Sequence, residues 1–253
     1  MADQNAISVE DYEDNLPLAV IDAEAGKLGF FVPSRMAAFR VQSMFTKEPE
    51  TMAWIAGFEA GSVLVDIGAN MGIYTIWAAK HRNAQVIALE PEAQNFGLLN
   101  RNIHFNDLDG QVTAYCAAAS DENAFSVLNL GNLQIGGSMN MLGEELDQNL
   151  EPREALFRQG CVSVTLDHMR DQNIIPDPHY IKIDVDGLEH KVIAGAREIL
   201  AGTSLRSVLV EINPNLDAHM ALFDQFADLG YSVDPETKEN WRAGRSGNCI
   251  FSR

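Results

Sequence analysis

From Ser62 onward, short apolar runs alternate with longer stretches in which apolar residues recur every three or four positions. The runs Ser62–Asp66, Gln85–Leu89, Gln111–Tyr115, Tyr180–Asp184 and Ser207–Glu211 are too apolar for strands wetted on one face, so they read as buried parallel strands. Tyr74–His81, Ala93–Asn106, Glu189–Leu200 and Leu216–Leu229 carry the helical period and lie between or after them. Tyr231–Val233 and Asn248–Ser252 follow with no helix between, which predicts a hairpin-like antiparallel ending. The pattern as a whole predicts an α/β fold: a doubly wound, mostly parallel seven-stranded sheet with an antiparallel last strand.

Two segments fall outside this alternation. Residues 1–60 form a small N-terminal extension to the main domain, 61–253. Met1–Asn15 is polar and is expected to fray. Leu18–Ile21 and Gly29–Val32 read as short strands around the turn Glu24-Ala25-Gly26, and Arg35–Phe45 and Glu48–Phe58 as helices that dock beside the sheet or shape a substrate mouth. Residues 116–178 are too long for a simple loop. Ala124–Leu130 and Cys161–Leu166 read as extra strands there, and the flexible stretch from Gly131 to Asn140 leaves the third strand's carboxyl end as a substrate loop or lid. Asn132, Ser138 and Asn140 are its candidate substrate contacts.

Composition narrows the classes. The 36 Asp and Glu against 18 Lys and Arg give a net charge of −18, which argues against nucleic acid because no basic stripe exists to release counterions. Cys116, Cys161 and Cys249 form neither a disulfide framework nor a zinc pattern, and the N-terminus is acidic rather than signal-like, so a cytoplasmic protein is expected. Nothing approaches the roughly 18 consecutive apolar residues of a membrane span.

The chemistry begins at Val63-Leu-Val-Asp66-Ile-Gly68-Ala69-Asn70-Met-Gly72-Ile-Tyr74. A buried strand ends in a carboxylate and passes through two glycines into a helix, the arrangement that opens onto a ligand crevice. A dinucleotide fingerprint, G-x-G-x-x-G, fails at Asn70 and Ile73. What remains, D-x-G-x-N-x-G, resembles the first motif of class I S-adenosylmethionine-dependent methyltransferases. With that donor, Asp66 is expected to reach the amino-acid end, and the amides around Gly68, Ala69, Asn70 and Gly72 to bind the carboxylate. Glu90-Pro91, closing the second strand 24 residues after Asp66, suits the ribose diol. Ala118 and its small neighbours suit the adenine, with Asp121 or a nearby amide reading its edge.

A second constellation is Tyr180-Ile-Lys182-Ile-Asp184-Val-Asp186-Gly187-Leu-Glu189-His190. It gathers three carboxylates and an imidazole at one strand end, where mutual repulsion raises carboxyl pKa values. Asp184 is the leading contact to donor or acceptor, with His190 and Glu189 as further bases, and Glu211 points into the same crevice. Asp184, Asp186 and Glu189 could offer oxygens to Mg²⁺, but alternate residues at a strand end point apart, so no metal ligands are assigned.

These words, with Thr165-Leu166-Asp167, Gly195-Ala196 and Val210-Glu211, fall in the order of the FkbM-type methyltransferases, which the chain resembles from Ser62 to about Asn213. The family more often has Glu where Asp186 stands. The resemblance implies S-adenosyl-L-methionine as cofactor and O-methylation of a hydroxyl, often on a sugar or natural product, by in-line displacement. The alternatives are a catalytically silent donor-binding module and a nucleotide-dependent oxidoreductase on a similar sheet. Apolar residues at Phe30-Phe31 and Met36–Phe39 offer a surface for a homodimer.

Overall fold

A computed structural model of the protein describes residues 8–24, 26–235, 237 and 246–253. The extension comprises α1 (Val9–Asp14), the antiparallel hairpin β1 (Leu18–Ala23) and β2 (Gly26–Phe31), α2 (Arg35–Ser43) and α3 (Pro49–Ala56). Within the segment expected to fray, residues 9–14 are helical, because Ser8 caps them by accepting the Asp11 amide at 3.0 Å. Residues 1–7 of that expectation, and Ala25 of the expected turn, lie outside the described residues.

The chain then runs β3 (Val63–Ile67), α4 (Ile73–Arg82), β4 (Gln85–Leu89), α5 (Ala93–Phe105) and β5 (Val112–Tyr115). The insertion holds β6 (Ala118–Ala119), β7 (Ala124–Leu130), β8 (Asn140–Leu142), β9 (Phe157–Val164) and α6 (Leu166–Asp171). After it come β10 (Tyr180–Ile183), α7 (Glu189–Ala194), α8 (Arg197–Ala201), β11 (Ser207–Ile212), α9 (Asp217–Asp228), β12 (Ser232–Val233) and β13 (Gly247–Ser252).

The main sheet has seven strands in the order β12-β13-β11-β10-β3-β4-β5. Its centre is parallel, and β13 runs antiparallel to both β11 and β12, as the helix-free C-terminal pattern requires. The insertion makes its own four-stranded sheet, β6-β9-β7-β8.

Alternation along the central strands distributes side chains between two cores. Leu64, Val86, Ala88, Val112 and Tyr180 face the extension, α4 and α5. Val65, Ile67, Ile181, Ile183, Val208 and Val210 face the second core, with Val192 of α7, Ile199 of α8 and Phe226 of α9. The extension is therefore part of the first core rather than an appendage. Its hairpin is clamped to α5 by two buried amides. Asn102 accepts the Phe31 amide at 2.8 Å, while Asn106 both accepts from and donates to the Gly29 backbone.

Helix α3 reaches from the carboxyl end of the strands at its N-terminus to the strand starts at its other end. Near its end, the Trp54 indole donates to Ser207 at 2.9 Å, and Phe58 just beyond stacks on Tyr180 with ring centroids 3.7 Å apart, both partners being strand starts. Glu48, at its N-terminus, accepts from Asn248, which pairs with Glu211 at the strands' carboxyl end. Phe30 is fully buried and Phe31 packs edge-on to Phe105 at 5.3 Å, so these two do not form the association patch their sequence suggested; Phe39 is exposed.

One expected helix, Glu189–Leu200, is two. The chain breaks at Gly195, where a Cβ would lie 2.0 Å from the Ser120 carbonyl oxygen. Asp167 restarts it by accepting the Glu198 and Ile199 amides, each at 3.0 Å. Gly195→Ala is expected to force Ser120 and Thr165 away and to cost about 1–3 kcal/mol, or about 2–4 °C of Tm per kcal/mol. Thermal melting of the variant checks this.

Candidate active site

The glycine loop turns β3 into α4 through left-handed conformations at Gly68 (φ +78°), Asn70 (φ +51°) and Gly72 (φ +91°). Gly68 is also the point of closest approach to β10, since a Cβ there would lie 1.9 Å from the Asp184 carbonyl oxygen. The tight turn engages its own amides. Gly68 and Ala69 both donate to the Leu89 carbonyl, Asn70 to the Glu90 carboxylate at 2.7 Å, Met71 to the Asn70 side chain and Gly72 to Ala69. The expectation that these amides receive an anionic ligand is thus corrected: each already has a partner within the protein.

A cavity of about 190 Å³ opens at the carboxyl ends of β3, β4, β10 and β11, joined by shared walls to a pouch of about 40 Å³ on its α4 side. Gly68, Asn70, Glu90, Pro91, Ala118 and Asp184 line the cavity, and Ala69 the pouch. Asp66 and Gly72 line neither. Asp66 is wholly buried and accepts the Thr75 hydroxyl at 2.6 Å, so it anchors α4 from below. Glu90 accepts the Asn70 and Glu92 amides, one on each oxygen, which aims the carboxylate and leaves further lone pairs for a ligand. Burial pushes its pKa up to about 7. The adenine-side expectation splits: Ala118 is on the wall with Ala117 and Ala119, whereas Asp121 is exposed and away from it.

The centre of the site is a buried ion pair. Lys182 is 1% exposed, and its ammonium lies 2.9 Å from Asp184 Oδ2 and 5.0 Å from the Tyr74 ring centroid. Burial alone would make it shed its proton, but Asp184, Asp66 and Glu48 outweigh that and hold it charged. In turn Lys182 overcomes burial at Asp184 and keeps that carboxyl below its ordinary range. Glu48 accepts the Tyr74 hydroxyl at 2.7 Å and pairs with Lys47 at 2.6 Å.

Beyond Asp184 the chain turns through Asp186 (φ +59°) and Gly187 (φ +115°). Glu189 is fully buried beneath this turn, accepting the Val185 amide at 2.8 Å and the Gly187 amide at 3.0 Å. His219 supports it. Its Nδ1 accepts the Asn213 amide at 3.1 Å, which leaves Nε2 to donate towards the Gly187 carbonyl at 3.0 Å and Glu189 at 3.1 Å. Glu189 and His190 therefore do not line the cavity, and of the three expected bases only Asp184 does. Among the described residues no three ligating side chains converge as a metal ion would require.

The loop from Gly131 to Asn140 roofs the cavity with Gly137, Ser138 and Asn140. It is pinned on three sides: Ser34 donates to Ile135 at 2.6 Å, Asn95 accepts the Gly136 amide at 2.7 Å, and Asp186 accepts the Met139 amide at 2.6 Å. Asn132 does not reach the cavity. It donates to the Ser138 carbonyl and accepts the Gln134 amide, so it shapes the loop instead. Glu211 lines the cavity, and Asp184, then burial, pushes its pKa up to about 9.

A methyltransferase FkbM domain model matches residues 66–233, from the β3 carboxylate to the end of β12. The chain belongs to the FkbM methyltransferase family. It is 26% identical over 248 residues to methyltransferase sdnD of Sordaria araneosa, covering 85% of this chain and 90% of that one. It is also 23% identical over 153 residues to methyltransferase 1 of Beauveria bassiana, covering 56% and 61% respectively. Among solved structures, a precorrin-6Y C5,15-methyltransferase from Geobacter metallireducens overlaps 81% of this chain and 86% of its own with a TM-score of 0.46 at 15% identity. TYW2 of M. jannaschii, solved with AdoMet, overlaps 94% of this chain and 86% of its own with a TM-score of 0.45 at 12% identity.

In this FkbM methyltransferase the matched stretch omits the extension, yet Arg40, Lys47 and Glu48 on the cavity wall come from it. Sequence reading passed over them because α2 and the turn into α3 carry no motif. Lys182 and His219 left a clearer trace: a charge inside an apolar strand, and an imidazole on the buried face of α9, both need partners.

Glu211 gives a pH test. A carboxyl whose pKa rises from about 4 in the unfolded chain to about 9 in the folded one costs stability progressively as pH climbs through that window. Glu211→Gln removes the cost. It is expected to raise Tm at pH 8 by about 2–4 °C, equivalent to about 1 kcal/mol, and to leave it unchanged near pH 4, as melts at the two pH values would show.

Proposed function

We propose that the protein transfers a methyl group from S-adenosyl-L-methionine to a hydroxyl of a small molecule such as a sugar or natural-product scaffold. The observation that carries this reading is the charge of the cavity. Glu48, Glu90, Asp184 and Asp186 line it against Arg40 and Lys47, and Glu211 adds a protonated carboxyl, so acidic groups outnumber basic ones where a sulfonium cation must be held. A nicotinamide dinucleotide would bring a pyrophosphate to a loop whose amides from Gly68 to Gly72 are all engaged.

Glu90 and Pro91, with Ala118, take the nucleoside end of the donor. Bound there, S-adenosylmethionine supplies an electrophilic methyl group. The protein's part is to hold the acceptor oxygen in line with it and to remove the hydroxyl proton. Asp184 is the base in this reading. Lys182 keeps it ionised and fixes Oδ2, leaving Oδ1 for the acceptor. Glu211, carrying its proton at neutral pH, donates a hydrogen bond to the acceptor, and Ser138 and Asn140 supply polar contacts from the roof.

Calorimetry of the full chain with S-adenosylmethionine and with NAD tests the donor, and methyl transfer to a panel of hydroxyl compounds tests the acceptor class. Asp184→Asn is expected to lower kcat by about 10²–10⁴-fold with donor affinity changed only a few-fold. Glu90→Ala should weaken the donor by at least about tenfold. His190→Ala should turn over normally. Absence of donor binding, or a preference for NAD, would overturn the proposal.

A further inference from the structure

Resting on that donor assignment, a second question is what holds the donor's amino-acid end. The glycine loop offers it no amide, for every N–H from Gly68 to Gly72 is engaged within the turn. The position of the pouch points elsewhere. Glu90 closes β4, while the pouch lies over Gly68–Met71 and Asp184, on the side of β3 away from Glu90, and its remaining wall is Arg40, Ser43, Met44, Lys47 and Glu48 of the extension. A ligand with its nucleoside at Glu90 and its sulfur near Asp184 would send its tail towards this wall.

The wall carries the matching charges. Among the described residues lining the cavity and its pouch, the basic side chains are Arg40, Lys47 and Lys182. Lys182 is buried and paired with Asp184, which leaves the two from the extension for an external anion. Each is already placed. Arg40 Nε donates to the Gly136 carbonyl, which fixes the guanidinium under the roof with its other N–H groups in hand. Lys47 leans on Glu48, and Glu48 is held by the Tyr74 hydroxyl and, at 3.2 Å, by Asn248. A cation pair beside a fixed carboxylate is complementary to a zwitterion.

We infer that the N-terminal extension, rather than the glycine loop, is the receptor for the amino-acid end of the methyl donor, with Arg40 and Lys47 taking its carboxylate and Glu48 its ammonium. The extension lies outside the stretch matched by the family model, so this site is a property of the whole chain.

The test is a comparison of two ligands by calorimetry on the full chain: S-adenosylmethionine, and decarboxylated S-adenosylmethionine, which keeps the ammonium and sulfonium. The wild-type chain is expected to prefer the intact donor by at least about tenfold, the worth of a charge-assisted contact. In Lys47→Gln and in Arg40→Gln that preference should fall to about threefold or less, chiefly through loss of affinity for the intact donor. Arg40 also pins the roof, so Arg40→Gln weakening both ligands alike would report only that structural part; Lys47→Gln, which pins nothing in the roof, then decides. Equal binding of both ligands by the wild-type chain, or an undiminished preference in Lys47→Gln, would overturn the inference. Binding of neither ligand by folded wild-type chain would instead remove the donor assignment on which it rests.

Discussion

A buried ammonium sets the terms for the rest of this site. Lys182 points from the middle of a parallel strand into the first core, at 1% exposure, where an unpaired charge would cost several kcal/mol. Its neighbours along the strand, Ile181 and Ile183, go to the opposite core and cannot help. Compensation has to come from the crevice, and it does: Asp184 binds it directly, with the charges of Asp66 and Glu48 close by. The same balance leaves Glu211 protonated, because the charge of Asp184 and then burial hold its proton on. A strand lysine, in effect, keeps Asp184 ionised, and Asp184 in turn keeps the proton on Glu211.

The layers around this centre lock onto one another. The extension holds the roof through Ser34 and Arg40, the roof holds the strand turn through Asp186, and Glu189 with His219 holds that turn from beneath. Few of these contacts touch the cavity. They place backbone, and the backbone presents the functional groups. This explains how a loop rich in glycine and asparagine can be an ordered wall: Asn70, Asn95 and Asn132 supply the hydrogen bonds that a regular strand would otherwise provide.

The sheet was legible from the sequence because its strands are buried on both faces and its helices are not, and those two patterns are hard to mistake. Boundaries at the insertion and at Gly195 were less so, since a glycine's role there depends on the Ser120 backbone approaching from elsewhere in the chain. Within the site, Glu90, Asp184 and Glu211 were readable as carboxylates at strand ends. Glu189, His190 and Asn132 were misplaced because residue type gives chemistry without direction. The glycine loop illustrates the same gap: its sequence announces an anion cradle, while its conformation turns each amide inward. Arg40, Lys47 and Glu48 were invisible for a different reason, since only the folded chain brings the extension over the sheet.

The hydrogen bond between Glu48 and Asn248 closes a loop of 200 residues. Asn248 lies on the last strand, which inserts between β11 and β12 and so must arrive after both. The wall residue Glu48 is therefore braced by a strand that lies 200 residues further along the chain. Loop closure over such a separation is slow relative to local helix formation. Glu48 thus finds its Tyr74 partner close by in the chain, but its Asn248 partner only once β13 has paired with β11.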